Sequence, residues 1–253
     1  AGVFQNLRAA DEAPETTPGL FLSSISIHDF RNYAGVRIEI SPGPVLVLGP
    51  NGIGKTNLLE ALSLLAPGRG MRRARAEHLG RHGTSGAWGV AATMQSSDGP
   101  CQIGTGVPPD FETGRRIMRL NGDTVSQAEI GTLLSASWLT PQMDGVFVDS
   151  PGARRRFLDR LVIAFDPAHI ARTNRYEKSL RERAVLLSEG RGDDAWLSAL
   201  ELTLAETAVA ITAARLALIE DLNVEAEHGW FGFPGARLDL AGDTESWLAS
   251  MPA

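Results

Sequence analysis

The chain of 253 residues is 43% hydrophobic and 21% charged, proportions that suit a globular protein with a large core, in one domain or two small ones. A net charge of −6 argues against a strongly basic nucleic-acid binder but leaves room for a local basic face, and the single cysteine, Cys101, excludes an internal disulfide and a cysteine-rich zinc site. No apolar run approaches a membrane span and no signal-peptide pattern opens the chain, so the expectation is a cytoplasmic protein with no membrane partner.

Residues 1–19 carry acids and prolines (Asp11, Glu12, Pro14, Glu15, Pro18) with little periodicity and read as a flexible tail. From Leu22 to Ile27 the chain has strand character. Val36, Ile38 and Ile40 alternate with Arg37 and Glu39, the pattern of a half-buried strand. Phe30-Arg31-Asn32-Tyr33 connects the two, and Ser41-Pro42-Gly43-Pro44 turns the chain into an apolar run, Val45 to Leu48, expected as a further strand.

Gly49-Pro50-Asn51-Gly52-Ile53-Gly54-Lys55-Thr56 then matches G-x-x-x-x-G-K-[ST], the phosphate-binding loop, and a helical pattern follows from Asn57 to Leu65. A polyphosphate needs many N–H donors converging at close range. Glycines let the backbone curl around it, and the helix that follows points free amides and its positive dipole end at the anion. In such a loop Lys55 reaches the β/γ-phosphates of ATP and the Thr56 hydroxyl ligates Mg²⁺.

After Pro67-Gly68 comes an arginine-rich segment, Arg69-Gly70-Met71-Arg72-Arg73-Ala74-Arg75, with Arg81 beyond it. It reads either as a solvated loop or as a polyanion contact, to nucleotide or to DNA backbone. Trp88 to Val125 reads as antiparallel: strands at Gly89–Met94 and Cys101–Val107 around a turn at Ser97-Asp98-Gly99-Pro100, then a hairpin about Asn121-Gly122. A short helix over Gln127–Leu134 and a short strand at Trp138–Thr140 follow, the latter running into Pro141-Gln142-Met143-Asp144. Ser150-Pro151 starts a helix bearing Arg154, Arg155 and Arg156, and Asp166-Pro167 starts a longer one, to about Ser188. A polar turn at 189–194 leads into a long helix, Trp196 to Leu222, so the two long helices form an antiparallel arm. Beyond Asn223 the chain is glycine-rich, with weak strand character at Arg237–Leu240. The five histidines (His28, His78, His82, His169, His228) show no metal spacing, and Trp138 and Trp196 read as core residues.

Four stretches together resemble the RecF family of ABC-type, SMC-like ATPases. They are the F-R-N-Y at Phe30–Tyr33, the loop with its Asn57-Leu58-Leu59-Glu60-Ala61 continuation, Gly68-Arg69-Gly70 with Arg72-Arg73, and the Ser150-Pro151…Arg154-Arg155…Phe157-Leu158-Asp159 block. Tyr176 and Leu180-Arg181-Glu182-Arg183 extend that block. Ile53 departs from the family's usual polar residue, and Pro141-Gln142-Met143-Asp144 stands where many members have Pro-Glu-Asp. The resemblance implies an α/β fold: an ABC-type P-loop head with a mixed sheet, an antiparallel β lobe and a helical-hairpin arm. On this reading residues 20–149 form the nucleotide-binding domain, 150–223 the arm and 224–253 an incomplete return toward the head. It also implies ATP and Mg²⁺ as ligands, an ATP-dependent homodimer with weak DNA-dependent ATPase activity, and binding to single-stranded and gapped duplex DNA. RecO and RecR are the implied partners in loading RecA during replication, recombinational repair and the SOS response to DNA damage. DNA contacts would fall on Arg72, Arg73, Arg75 and Arg154–Arg156, the latter reading equally as a helix face paired with acids such as Asp159. Gln142 reads either as a sensor of Mg²⁺ and the γ-phosphate or as a plain turn residue.

An ATPase of this group also needs an apolar strand ending in Asp-Glu and a serine-glycine signature segment. Leu216-Ala217-Leu218-Ile219-Glu220-Asp221 mimics the acidic strand but continues the helical spacing before it, Val146–Asp149 reads as a loop, and no signature is visible. The expectation is therefore a chain whose second catalytic half is missing. The alternatives are a non-hydrolysing nucleotide-binding module or an inactive fragment. A small kinase or GTPase is the remaining P-loop reading, but the guanine-reading Asn-Lys-x-Asp is absent.

Overall fold

The computed structural model describes residues 21–96, 99–109, 115–190, 193–229 and 233–250. The tail read over 1–19, the tip of the turn at Ser97-Asp98 and the middle of the polar turn at Arg191-Gly192 lie outside these residues. The chain divides into two compact units, 1–138 and 139–253, ahead of the boundary read at 149/150.

In the first unit the described strands form one antiparallel sheet, in the order β2-β1-β3-β4-β5-β6. They are β1 (Phe21–Phe30), β2 (Tyr33–Glu39), β3 (Trp88–Ser96), β4 (Gly99–Val107), β5 (Ile117–Leu120) and β6 (Asp123–Val125). Period-two alternation builds it: Trp88, Val90, Ala92 and Met94 of β3 are buried, beside Ile25 and Ile27 of β1. Helix α1 (Lys55–Ser63) adds Leu58 and Ala61 to the same core, and the turns after it add Leu64 and Leu65. Phe30 packs edge-on against Trp88, with ring centroids 5.4 Å apart. Asn121 and Gly122, both at positive φ, close the β5–β6 hairpin. Helix α2 (Gln127–Leu133) opens with a capping box between Ser126 and Glu129, and those hydrogen bonds from Ser126 hold the Glu129 carboxyl below its ordinary pKa.

Two strand expectations fail in or beside this unit. Residues 44–50 have no regular secondary structure, and Leu46 and Leu48 are more than two-thirds exposed, while Val47 alone of the apolar run packs on the core. A strand exists only when neighbouring backbones take its N–H and C=O groups, and no described strand lies beside this run to do so. Trp138–Thr140 is likewise irregular.

The second unit is helical: α3 (Pro151–Phe165), α4 (His169–Glu189), α5 (Asp194–Ala226) and α6 (Asp243–Ser250). Ser150 caps α3 through Ala153 N–H, with Pro151 at the first position, and Asp193 caps α5. Helices α4 and α5 form the expected arm, bridged by Arg183 and Glu201 at 2.8 Å. Leu158, Val162, Leu218 and Ile219 make a small core. Arg237–Leu240 is not a strand. Its backbone is held by Asn223 of α5, whose amide donates to Leu238 O at 2.9 Å and accepts from Leu238 N–H at 2.7 Å.

The residues 216–221 that mimic an acidic strand lie inside α5, as the helical spacing requires. Trp196, read as core, is exposed. The expectation of no span-length apolar run is also corrected: α5 is long and apolar enough to cross a bilayer, with a window of mean hydropathy 1.6. It packs along α4 and carries Arg215, ion-paired to Asp159 of α3, inside its apolar stretch.

Candidate nucleotide site

The loop before α1 takes the form the sequence predicts. Gly49, Gly52 and Gly54 sit at φ 152, 82 and 116. Gly54 is the N-cap of α1, and the first helical bond runs from Leu58 N–H to Gly54 O at 3.0 Å, so the amides of Lys55, Thr56 and Asn57 are left to the helix end. A side chain at position 54 would meet both a left-handed backbone and the Asn32 amide, whose Nδ2 would lie 2.6 Å from its Cβ. The Lys55 ammonium folds back over the loop, donating to Gly49 O at 2.6 Å and Pro50 O at 2.9 Å. The Thr56 side chain is exposed at the helix start. A cradle of main-chain amides, one cation and one hydroxyl at the head of a helix fits a polyphosphate with its metal ion.

A network that the sequence did not reveal surrounds this loop. The tight turn between β1 and β2 places Arg31 at φ 53, and its guanidinium grips the buried Glu60 carboxylate with two bonds, 2.9 and 2.7 Å. Arg72 reaches the same carboxylate at 3.0 Å and also donates to Asn57 Oδ1 at 2.8 Å. Asn57 Nδ2 donates to Asn32 Oδ1 at 2.8 Å, and Asn32 Nδ2 donates to Ile53 O at 3.0 Å. Next in the chain, the Tyr33 hydroxyl, whose pKa is pushed up by burial, donates to Gly54 O at 3.2 Å. Three of the four stretches that carry the resemblance thus meet at one place. Glu60, one charge inside an amphipathic helix pattern, carried no signal that it would be the hub.

The arginine segment is anchored at its start. Gly68 O accepts from Arg116 at 2.7 Å and Gly68 N–H donates to Gln127 at 2.9 Å, and burial lowers the Arg116 pKa to about 10. Of the predicted DNA contacts, Arg72 donates to Glu60 and Asn57, and its side chain stays 44% exposed. Arg73 is exposed at φ 55, and Arg75 is exposed with Glu77 at 3.6 Å.

In the second unit Arg154, Arg155 and Arg156 are all exposed in the first turns of α3. The alternative pairing with Asp159 does not occur, because that carboxylate is taken by Arg215, at 2.8 Å to each oxygen, and by His169 Nε2 at 2.8 Å. Burial alone would raise the Asp159 pKa, but the hydrogen bonds from His169 and Arg215 and the Arg215 charge hold it below the usual carboxylate value. Arg154 donates to Asp149 O, whereas Arg155 and Arg156 have no ion-pair partner among the described residues. Cations at a helix N-terminus oppose its dipole, so three together are not there for helix stability. They line an open cleft of about 910 Å³ together with Tyr176, and also with Asp239, Asp243 and Glu245, which offset their field there. Gln142 is exposed in the short 3₁₀ turn Pro141–Gly145.

Fold and site define the class: an α/β P-loop head of ABC type, with a helical arm. The profile of the family described as RecF/RecN/SMC N terminal domain matches residues 21–225. The chain belongs to that family, on its RecF branch. It is 45% identical over 235 residues to the DNA replication and repair protein RecF of Mesorhizobium japonicum, covering 92% of this chain and 62% of that protein. With the Agrobacterium fabrum protein of the same name it shares 44% over 226 residues, covering 87% of this chain and 60% of the relative. Among solved structures, one described as the recombination mediator protein RecF-ATP in the RecFOR pathway superposes with a TM-score of 0.75 at 26% identity, covering 85% of this chain and 58% of that one. The chain therefore spans about three fifths of the length of these relatives.

Proposed function

We propose that this chain is the ATP-binding portion of a RecF-type protein of DNA replication and recombinational repair. The observation that supports the reading is the head of α1, which carries left-handed glycines, the Lys55 ammonium folded over the loop and the exposed Thr56 hydroxyl. Gly49 to Thr56 hold the triphosphate by main-chain amides and Lys55, and Thr56 ligates Mg²⁺. The exposed guanidiniums of Arg73, Arg75, Arg155 and Arg156 contact phosphates of single-stranded or gapped duplex DNA in a sequence-independent way. Arg154 adds charge beside them, and Arg72 acts from within the loop network instead. The whole protein works in the cytoplasm as an ATP-dependent homodimer with RecO and RecR, loading RecA.

Titration calorimetry with Mg–ATP tests the reading. Lys55→Ala should weaken binding roughly 10- to 100-fold, the worth of one charge-assisted hydrogen bond. No heat from a folded wild-type chain refutes it.

A second reading, binding without turnover, is favoured for this chain alone by one observation: the acidic run Glu220-Asp221 lies within helix α5. Hydrolysis needs a positioned water and charge stabilisation beyond binding. Phosphate release should stay at background while ATP binds. Sustained release abolished by Lys55→Ala would overturn this second reading.

A further inference from the structure

We infer that Asn32 and Tyr33 are positioning residues of the phosphate site, a role that rests on the nucleotide-binding reading above. They hold two successive loop carbonyls, those of Ile53 and Gly54, on the side away from the anion. In a trans peptide the C=O and the following N–H point in opposite directions. Drawing Ile53 O toward Asn32 therefore aims the Gly54 N–H the other way, and drawing Gly54 O toward Tyr33 does the same for the Lys55 N–H. The two contacts are not equivalent. Gly54 O already accepts the first helical bond from Leu58, so Tyr33 reinforces an orientation the helix imposes. Ile53 O precedes the helix, and Asn32 supplies its donor.

The polarity of the Asn32 amide is set from outside. Arg72 has donors only, so Asn57 must present its oxygen to it and its NH₂ to Asn32. Asn32 must then present its oxygen to Asn57, which leaves its NH₂ for Ile53 O. Glu60 holds Arg72 in place and also holds Arg31, the residue before Asn32, which closes the ring. Gly54 is matched to this arrangement, since any Cβ there would collide with the Asn32 amide. The F-R-N-Y turn, outside the phosphate-loop motif, thereby shapes the loop's donor array through the Asn57 and Arg72 side chains.

The test uses the full chain, with Asn32→Ala, Asn32→Asp and Tyr33→Phe, in calorimetric titrations with Mg–ATP and in ¹H–¹⁵N spectra without nucleotide. Loss of one hydrogen bond to the loop corresponds to at most roughly tenfold in affinity for Asn32→Ala, and about threefold is expected for Tyr33→Phe. Asn32→Asp, which turns a donor toward Ile53 O into an acceptor, should be the weakest binder. The Gly54 and Lys55 amide signals should move in the Asn32 variants before any nucleotide is added. A purely structural role would lower the melting temperature and leave those two amides and the affinity unchanged. If Asn32→Ala does not fold, Tyr33→Phe decides. The role is overturned if the wild type binds Mg–ATP and the folded variants match it within about twofold, a difference too small for a lost hydrogen bond. A folded wild-type chain that binds no Mg–ATP refutes the nucleotide reading itself, and the role with it.

Discussion

Truncating Glu60 to alanine is the sharpest challenge to the loop network. The carboxylate is buried, its side chain 2% exposed, and it accepts three hydrogen bonds from two guanidiniums. The bidentate Arg31 pair dominates, because Arg31 is itself three-quarters buried and is left facing an apolar gap. Breaking a buried pair on one side costs about 3 kcal/mol. Arg72 is 44% exposed and can rehydrate, so its share is below about 1 kcal/mol. Glu60→Ala should then destabilise the first unit by about 3–4 kcal/mol, a large part of the stability of an ordinary domain. Urea denaturation followed by circular dichroism and tryptophan fluorescence measures this. Double-mutant cycles apportion it, with a Glu60–Arg31 coupling of about 2 kcal/mol and a Glu60–Arg72 coupling under about 1 kcal/mol. A total cost below about 1 kcal/mol, or a stronger coupling to Arg72 than to Arg31, would refute the assignment of Glu60 as the hub.

Three further outcomes are expected. Leu58→Ala, in the core, should cost about 2–4 kcal/mol, whereas Leu46→Ala, in the exposed run before the loop, should change stability by under about 0.5 kcal/mol on the same urea assay. Asp159→Asn should cost the second unit about 3 kcal/mol at neutral pH. Because the folded Asp159 pKa is depressed, that difference should hold above the unfolded carboxylate value, about 3.9, and shrink as pH falls through the folded one, as read by denaturation midpoints against pH. In filter-binding titrations with gapped DNA, Arg155→Ala and Arg156→Ala should each flatten the salt dependence by about one counterion, while Arg72→Ala should act mainly on nucleotide affinity.

Much of this molecule was legible in its residues. The phosphate loop needs glycine where the backbone turns left-handed and a helix start where amides must be free, and both are local demands that a short string satisfies by itself. The strands β1 to β6 and the helices of the arm follow from apolar period and capping residues, which are equally local. What could not be read there depends on partners distant in the chain. Val45–Leu48 has strand composition but no described backbone beside it, so it stays unpaired. Arg154 to Arg156 read equally as DNA contacts or as a face salt-bridged to acids such as Asp159, and it is Arg215 and His169, far along the chain, that hold Asp159. Arg72 read as part of a solvated loop or a polyanion contact, and only the fold brought it to Glu60, Asn57 and, through Asn32, to a loop carbonyl. Dihedral preference and hydrophobic period act within a few residues and are written into the string itself. The pairing of charges and of backbone edges is a competition among groups that meet only after folding, and so it was settled by the tertiary structure.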